Sequence, residues 1–309
     1  MKELVVVTGG SGFIGSHLVE ALRNNGKHVI NIDKVSPENV HPDVTYIYAD
    51  ISKDTFHYDF PPVGVLYHLA ATPWSMVKGG SWFSGSQEAF YNNTVGTYLA
   101  LLKIKPKKIV FSSTANLYGE GRKLKETSPI SISSQYGYSK YIAEKIIQAS
   151  GIPHVIFRFG TVVGTRGRCF PNRLVYSAVH NIPVDVFANG ETYRDLVDVN
   201  DIVNALLKAP NFEDCITQPI YNLSMGQEVS GLELACLVKE EGMKRGYNLN
   251  YKLTDFTAPG YVKESTLDIE KINNEQFWYP LSDINIIIKT LFDYYEGKNA
   301  IEPPTWDQV

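Results

Sequence analysis

Cysteine, methionine and tryptophan are scarce in this 309-residue chain, at three, four and four residues. Cys169, Cys215 and Cys236 are odd in number and far apart. They suit neither a disulfide framework nor a zinc site, and fit the reduced thiols of a cytoplasmic protein. The seven histidines show no HxxxH or HExxH spacing, so no metal is expected. No run of 18 apolar residues is present, which argues against a membrane-spanning helix. The opening MKELVVVTGG has neither the long apolar region nor the small-residue cleavage site of a signal peptide. Basic charge is not in excess either: the net charge is -4, which gives no electrostatic footprint for nucleic acid.

The remaining composition is that of a globular protein, 44% hydrophobic and 20% charged, long enough for one large or two intimate domains. Short runs rich in Val and Ile, at 4–9, 28–33, 44–50, 63–71, 107–114 and 154–160, read as strands. They lack clean alternation, as expected of parallel strands buried on both faces. Helical patterns lie between them at about 14–24, 87–104 and 136–150. This rhythm predicts an α/β fold, a Rossmann-type doubly wound parallel sheet over 1–160. After Gly160 the pattern breaks at Pro171, Pro183, Pro210 and Pro219. A smaller C-terminal domain is expected over 161–309, with helices near 200–209, 230–245 and 282–296 and a return to the first domain around 186–222. The end, IEPPTWDQV, reads as a loosely held tail.

VVVTGGSGFIGSH places Gly9, Gly12 and Gly15 between the first strand and the first helix. Glycines allow a tight turn and close approach of backbone to a pyrophosphate, and the helix start offers free N–H groups. Gly10-x-Gly12-x-x-Gly15 is a weak fingerprint alone. Here a strand precedes it, a helix comes after it, and Asp33 ends the second strand, placed to accept from a ribose hydroxyl and to repel a 2′-phosphate. NAD is therefore favoured over NADP. Asp50 and Ile51 end the third strand where an adenine would lie, although an aspartate there also serves as a turn residue. HLAA (68–71) ends the fourth strand in small residues, suited to a nearby cofactor or to close packing.

SQYGYSK (134–140) holds two tyrosines and a lysine. On a helix, residues four apart are neighbours and residues two apart are not, so Tyr136 rather than Tyr138 would face Lys140. Oxidising an alcohol requires a group that moves the hydroxyl proton. A free tyrosine is a poor base at neutral pH, and a nearby ammonium together with an oxidised nicotinamide would favour its phenolate. A hydroxyl to hold the substrate oxygen is available in Ser112, Ser113 or Thr114 at the end of the fifth strand.

Together TGGxGFIG, DI, HLAA, N-x-x-GT (Asn93 to Thr97), SST and YxxxK resemble the extended short-chain dehydrogenase/reductases, specifically the nucleotide-sugar epimerases and dehydratases. RFGTVVG (158–164), GETYRDLVDVNDIVNAL (190–206), YNLSMGQEVSGLEL (221–234) and FWYP (277–280) extend the likeness over nearly the whole chain. The resemblance implies Tyr136, Lys140 and Thr114 as the catalytic group. It implies NAD held by Gly9, Gly12, Phe13, Ile14, Gly15, Asp33, Asp50, Ile51, Leu69, Ala70, Ala71, Asn93, Ser112, Tyr136 and Lys140. A nucleoside-diphosphate sugar would be met by Thr72, Thr114, Asn116, Tyr136, Thr161 and Arg194. A homodimer in the cytoplasm, with no nucleic-acid or membrane partner, is the matching expectation.

The departures bear on the reaction. In the 4,6-dehydratases of this family an Asp and a Glu come after the catalytic threonine, whereas here Ala115 and Asn116 come after Thr114. The cysteine that 3,5-epimerising members carry near the position of Asn116 is also missing. This leaves 4-epimerisation by transient oxidation, with a 4-ketoreductase or 4-dehydrogenase, and a non-catalytic dinucleotide sensor, as the alternatives. Thr161 replaces the usual substrate-binding Asn, Asp198 the usual Tyr, and Ala258-Pro259-Gly260-Tyr261 an Arg-Pro-Gly-Asp motif. Arg194 is then the best diphosphate contact, or else a partner of a local acid. Arg166, Arg168 and Arg173 are compensating candidates, and Trp74 is a candidate wall of the sugar pocket. Glu120 and Glu126 read as a solvated loop.

Overall fold

A computed structural model describes residues 3–53, 57–72, 86–211, 219–257 and 262–297. Trp74, Cys215, Ala258 to Tyr261 and the tail after 300 lie outside the described residues. The chain divides into two compact units. The first comprises Met1–Leu117, Ile132–Arg158 and Ile202–Tyr221; the second comprises Tyr118–Ser131, Phe159–Asp201 and Asn222–Val309.

In chain order the elements begin with β1 (Leu4–Thr8), α1 (Phe13–Asn24), β2 (His28–Asp33), β3 (Val44–Tyr48), β4 (Val65–His68), α2 (Ser86–Ile104) and β5 (Lys108–Thr114). Next come β6 (Gly121–Leu124), α3 (Gln135–Ala149), β7 (His154–Phe159), β8 (Thr161–Val163), α4 (Phe170–Val179), β9 (Val184–Val186), β10 (Tyr193–Asp198) and α5 (Val199–Lys208). The last are β11 (Ile220–Leu223), β12 (Glu228–Ser230), α6 (Gly231–Lys244), β13 (Tyr251–Leu253), β14 (Glu264–Leu267), α7 (Glu270–Asn274) and α8 (Ile284–Glu296).

Among the described residues, seven strands form the sheet of the first unit in the order β11-β7-β5-β4-β1-β2-β3. β1 runs parallel to both β2 and β4, β2 to β3, and β4 to β5. This is the doubly wound parallel sheet expected. The chain reverses its direction of winding at β1, so the ends of β1 and β4 open a crevice of the kind that receives ligands in such sheets. All residues of β1 and β4 are buried, which explains their unbroken apolar character. Val6, Ile30, Leu66, Ile109 and Phe111 form the core with Ala143 and Ile147 of α3.

In the second unit β10 pairs antiparallel with β12 and parallel with β14 and β8, and β14 pairs with β6. Its core joins Leu174 and Val175 of α4, Val238 of α6, and Leu291 and Phe292 of α8. The indole N–H of fully buried Trp278 donates to the Asp201 carbonyl at 2.8 Å. Pro171, read in the sequence as a break, instead sits in the first turn of α4, where a missing N–H and a fixed φ favour a helix. Glu126 is likewise no solvated side chain: it is half-buried and accepts from the Asn222 N–H at 2.8 Å, while Glu120 is exposed. No helix among the described residues is long and apolar enough to cross a membrane, and no His/Cys/Asp/Glu group among them could hold a metal.

Candidate active site

The glycines after β1 have different reasons to be glycine. Gly9 has φ +74°, and a Cβ there would lie 2.6 Å from the Ala70 amide nitrogen. A Cβ on Gly15 would overlap the Gly9 carbonyl and the Gly10 backbone. Both are dictated by packing of turn, helix and the HLAA segment. Gly12 is not: it is exposed, and the nearest atom to a Cβ there is the Gly9 carbonyl oxygen at 3.3 Å. It is also the N-cap of α1, with no capping side chain and no acidic residue in the first turn. A Cβ at Gly12 would crowd that oxygen less severely than one at Gly9 or Gly15, and an anion lying over the first amides of α1, at Phe13 and Ile14, would use the uncapped helix start.

Asp33 ends β2 with its carboxylate held in place, one oxygen accepting from the Ser11 N–H at 3.0 Å and the other from the Val35 N–H at 3.1 Å. Asn31 supports the same loop by donating to the Ser11 hydroxyl at 3.2 Å. Asp50, just past β3, accepts from the amide and hydroxyl of Ser52 at 3.0 and 2.7 Å. Burial works against its charge, but the Ser52 hydrogen bonds outweigh burial and hold the carboxyl below its ordinary range. Ile51 beside it is buried.

His68 at the end of β4 carries no signal in the sequence. Its Nε2 lies 2.9 Å from the Thr97 hydroxyl, which itself donates to the Asn93 carbonyl at 2.6 Å. Nε2 therefore carries the proton, and Nδ1 accepts from the Thr8 hydroxyl at 2.7 Å. Burial, and secondarily the charge of Lys140, pull this histidine down to about 3, so it is a neutral brace between β1, β4 and α2. Asn93 is a second brace. Its Oδ1 accepts from the Thr72 N–H at 2.7 Å, and its Nδ2 donates to the Thr72 carbonyl and, at 2.9 Å, to the Ser139 hydroxyl on α3. Leu69 and Ala70 are half-buried and Ala71 is exposed.

α3 begins with Ser134 accepting from the Gly137 N–H at 3.0 Å, so the Tyr-Lys segment is helical and Tyr136 and Lys140 share a face. Tyr138 is exposed. Lys140 is only 2% exposed, and its Nζ sits 4.2 Å from the centroid of the Phe111 ring. Neither the Tyr136 hydroxyl nor the Lys140 ammonium has a hydrogen-bond partner among the described residues. Burial pushes Tyr136 up to about 12 and pulls Lys140 down to about 7, the latter opposed by Glu144. In the chain by itself, burial is what moves the tyrosine, and it moves it away from phenolate.

Thr114 is buried at the end of β5 and accepts from the Asn116 N–H at 3.2 Å, which leaves its own proton to donate. Ser112 donates to the His68 carbonyl at 3.3 Å and Ser113 to Glu144, so of the three hydroxyls only that of Thr114 keeps a free donor. In the second unit Thr161 is half-buried on β8. Arg194 donates to the carbonyls of Tyr193, Val262 and Lys263 at 2.8, 2.8 and 3.2 Å. Asp198 caps the start of α5 by accepting from the Asn200 N–H at 2.7 Å.

The first unit's residues fit NAD. The bare backbone at Gly12, the oriented Asp33 carboxylate and the buried, unpartnered Lys140 each have a use once a dinucleotide lies across the strand ends. The sequence profile of the NAD dependent epimerase/dehydratase family matches residues 5–224. A UDP-glucose 4-epimerase of Halalkalibacterium halodurans is 31% identical over 235 residues, 65% of this chain and 69% of that protein. A UDP-N-acetyl-alpha-D-glucosaminuronate decarboxylase of Bacillus cytotoxicus is 28% identical over 262 residues, 76% of this chain and 79% of that protein. The UDP-glucuronic acid 4-epimerase of Bacillus cereus, solved with UDP-glucuronic acid and NAD, superposes with a TM-score of 0.79 at 26% identity, covering 94% of this chain and 98% of that one.

The buried lysine carries a stability cost whose sign can be tested. Its folded-state value of about 7 lies below its ordinary 10.5, so the unfolded chain binds the proton more tightly between those limits. Stability from this group therefore rises with pH across that window, and at pH 7 the ammonium opposes folding. Lys140→Met is expected to raise the Tm of the ligand-free protein by about a few degrees at pH 7, with the gain shrinking toward pH 10. Differential scanning calorimetry across that range checks this. A lowered Tm independent of pH would show that Lys140 stabilises the fold.

Proposed function

The chain belongs to the NAD dependent epimerase/dehydratase family, and from that premise we propose that it is a nucleotide-sugar 4-epimerase acting on a nucleoside-diphosphate hexose. The reading rests on the two residues after Thr114: buried Ala115 and exposed Asn116, neither of which titrates. Eliminating water across C5 and C6 needs a positioned base and acid. Glu144 is committed to Arg158 and Ser113, which leaves Tyr136 as the group able to move a proton beside Thr114. NAD, held by the first unit's residues, would supply a hydride acceptor for C4 and a cationic ring. Tyr136 then removes the C4 hydroxyl proton and later restores it, Thr114 donates to the same oxygen, and Lys140 holds the ribose. Thr72 and Asn116 are the proposed substrate contacts of the first unit.

Incubation with UDP-, dTDP-, GDP- and CDP-hexoses and UDP-glucuronic acid in deuterated water is expected to yield a C4 epimer of one of them. No deuterium should enter at C5, and neither water nor CO2 should be lost. NMR of the sugar product reads all of these. A 6-deoxy-4-keto sugar, a pentose, or a 4-keto sugar accompanied by stoichiometric NADH would each replace the epimerase reading with a different one.

Tyr136→Phe should lower turnover by about 10²–10⁴-fold, as is typical for a lost general acid-base. Tyr138→Phe should leave it nearly intact. Equal losses in the two variants would show that the helix face is wrongly assigned.

A homodimer belongs to the same reading. Tyr91, Tyr98 and Leu102 form an exposed apolar stripe on α2 at 46%, 55% and 52% exposure, with exposed Tyr138 on the adjoining α3. Placing these rings in water is costly, and a second copy would cover them. Light scattering should report a dimer for the wild type and a monomer for Tyr98→Glu combined with Leu102→Glu. A monomeric wild type would overturn this assignment.

A further inference from the structure

An ion pair sealed behind the proposed reaction centre needs a reason to exist, because two apolar residues usually serve stability as well. Glu144 is fully buried one turn beyond Lys140 on α3. Arg158 of β7 grips its carboxylate with two hydrogen bonds, Nε to Oε1 at 3.0 Å and Nη2 to Oε2 at 2.8 Å. Ser113, adjacent to Thr114 on β5, donates to the same Oε1. The carboxylate thus connects the helix that carries Tyr136 and Lys140 to the strand end that carries Thr114.

Lys140 is surrounded by little else that could hold its charge. β5 presents the Phe111 ring, β4 the neutral His68, and α3 itself Tyr136 and Glu144, while Arg158 approaches from β7 with Glu144 in its grip. Among these groups Glu144 is the anion. We propose that Glu144 and Arg158 are positioning residues for the proposed reaction: Glu144 keeps Lys140 in its ammonium form and, through Ser113, fixes the strand end that presents Thr114, while Arg158 fixes the carboxylate. This rests on the assignment of Lys140 to the cofactor ribose made above.

A role in charge and a role in packing differ in sign. Removing the anion alone leaves Arg158 uncompensated, so Lys140 should lose its proton at lower pH. Removing the cation alone leaves Glu144 free to favour the ammonium, so Lys140 should keep its proton to higher pH. The readout is NAD affinity by calorimetry on the purified chain from about pH 4.5 to 10, with no turnover required. The pH at which affinity falls is expected to move down by about one to two units in Glu144→Gln, the order of magnitude of a unit charge acting over one helical turn at an effective dielectric near 20. It should move up in Arg158→Met and return near the wild-type position in the double variant.

Shifts in the same direction, or no shift, would overturn the proposal. If Glu144→Gln does not fold, Arg158→Met and the neutral double variant decide it, because only the charge role moves the first upward and brings the second back. Lys140→Met separates the two levels of inference. If that variant keeps the wild-type pH dependence, the ribose assignment falls and the proposal with it. If it loses the pH dependence while the pair variants do not shift it, the assignment stands and the proposal alone fails.

Discussion

The first unit is arranged around a lysine ammonium held inside the fold against an aromatic ring. A buried amine without a hydrogen-bond acceptor is a poor choice for stability, since burial disfavours its charged form. The structure tolerates it because the rest of the neighbourhood is pinned. His68 is locked neutral between two threonines, Asn93 ties α2 to α3 through Ser139, and Glu144 supplies the balancing charge one turn away. Each brace uses a side chain from a different element, so the position of Lys140 depends on the register of the whole sheet. A site built this way sits on rigid elements, which a reaction demanding sub-ångström placement of a hydroxyl requires.

The same reasoning separates the glycines. Gly9 and Gly15 are forced by protein atoms, and any folded chain with this turn would need them. Gly12 is under milder pressure, with a Cβ there 3.3 Å from the Gly9 carbonyl oxygen, so a ligand over the loop adds a second reason for its bare backbone. The helix start beneath it points the same way, because an uncapped first turn leaves amides that a phosphate satisfies. Packing and ligand binding thus both act within one short loop, and a motif match by itself does not tell them apart.

Legibility in the sequence tracks the range of the interactions. The strands at 4–9, 28–33 and 107–114 are readable because burial of their central residues on both faces leaves short Val- and Ile-rich runs. The helical patterns at 87–104 and 136–150 lie within a residue or so of α2 and α3, whose periodicity is local. The short strands β6, β8, β9 and β12 to β14 escape such a reading, since three or four residues carry no period of their own. β11 escapes it too, although it closes the main sheet at 220–223. α4 is hidden because Pro171 reads as a breaker, when its place in the first turn makes it a helix former. Tyr136, Lys140 and Thr114 are legible from spacing and resemblance. His68 bonded to Thr8, or Arg158 gripping Glu144, is not: their partners lie 60 and 14 residues away and belong to no local pattern.

What such a fold decides about chemistry, and what it leaves to individual side chains, can be seen at the end of β5. The sheet and the braces fix where a hydroxyl, a tyrosine and a lysine stand relative to a cofactor cradle, and that arrangement serves oxidation at a carbinol carbon in any member of the fold that keeps it. The next step depends on whether anything nearby can take a carbon-bound proton or protonate a leaving group. Here the chain turns directly from Thr114 into Ala115, buried, and Asn116, whose backbone amide is spent on the Thr114 hydroxyl. Glu144 is already committed, its carboxylate accepting from the Arg158 guanidinium on both oxygens and from the Ser113 hydroxyl. Among the described residues, Ala115 and Asn116 thus add no group that titrates to Tyr136, Lys140 and Thr114. Under the proposed reading, hydride returned to the same face of a C4 ketone is unproductive, and hydride returned to the other face inverts the centre.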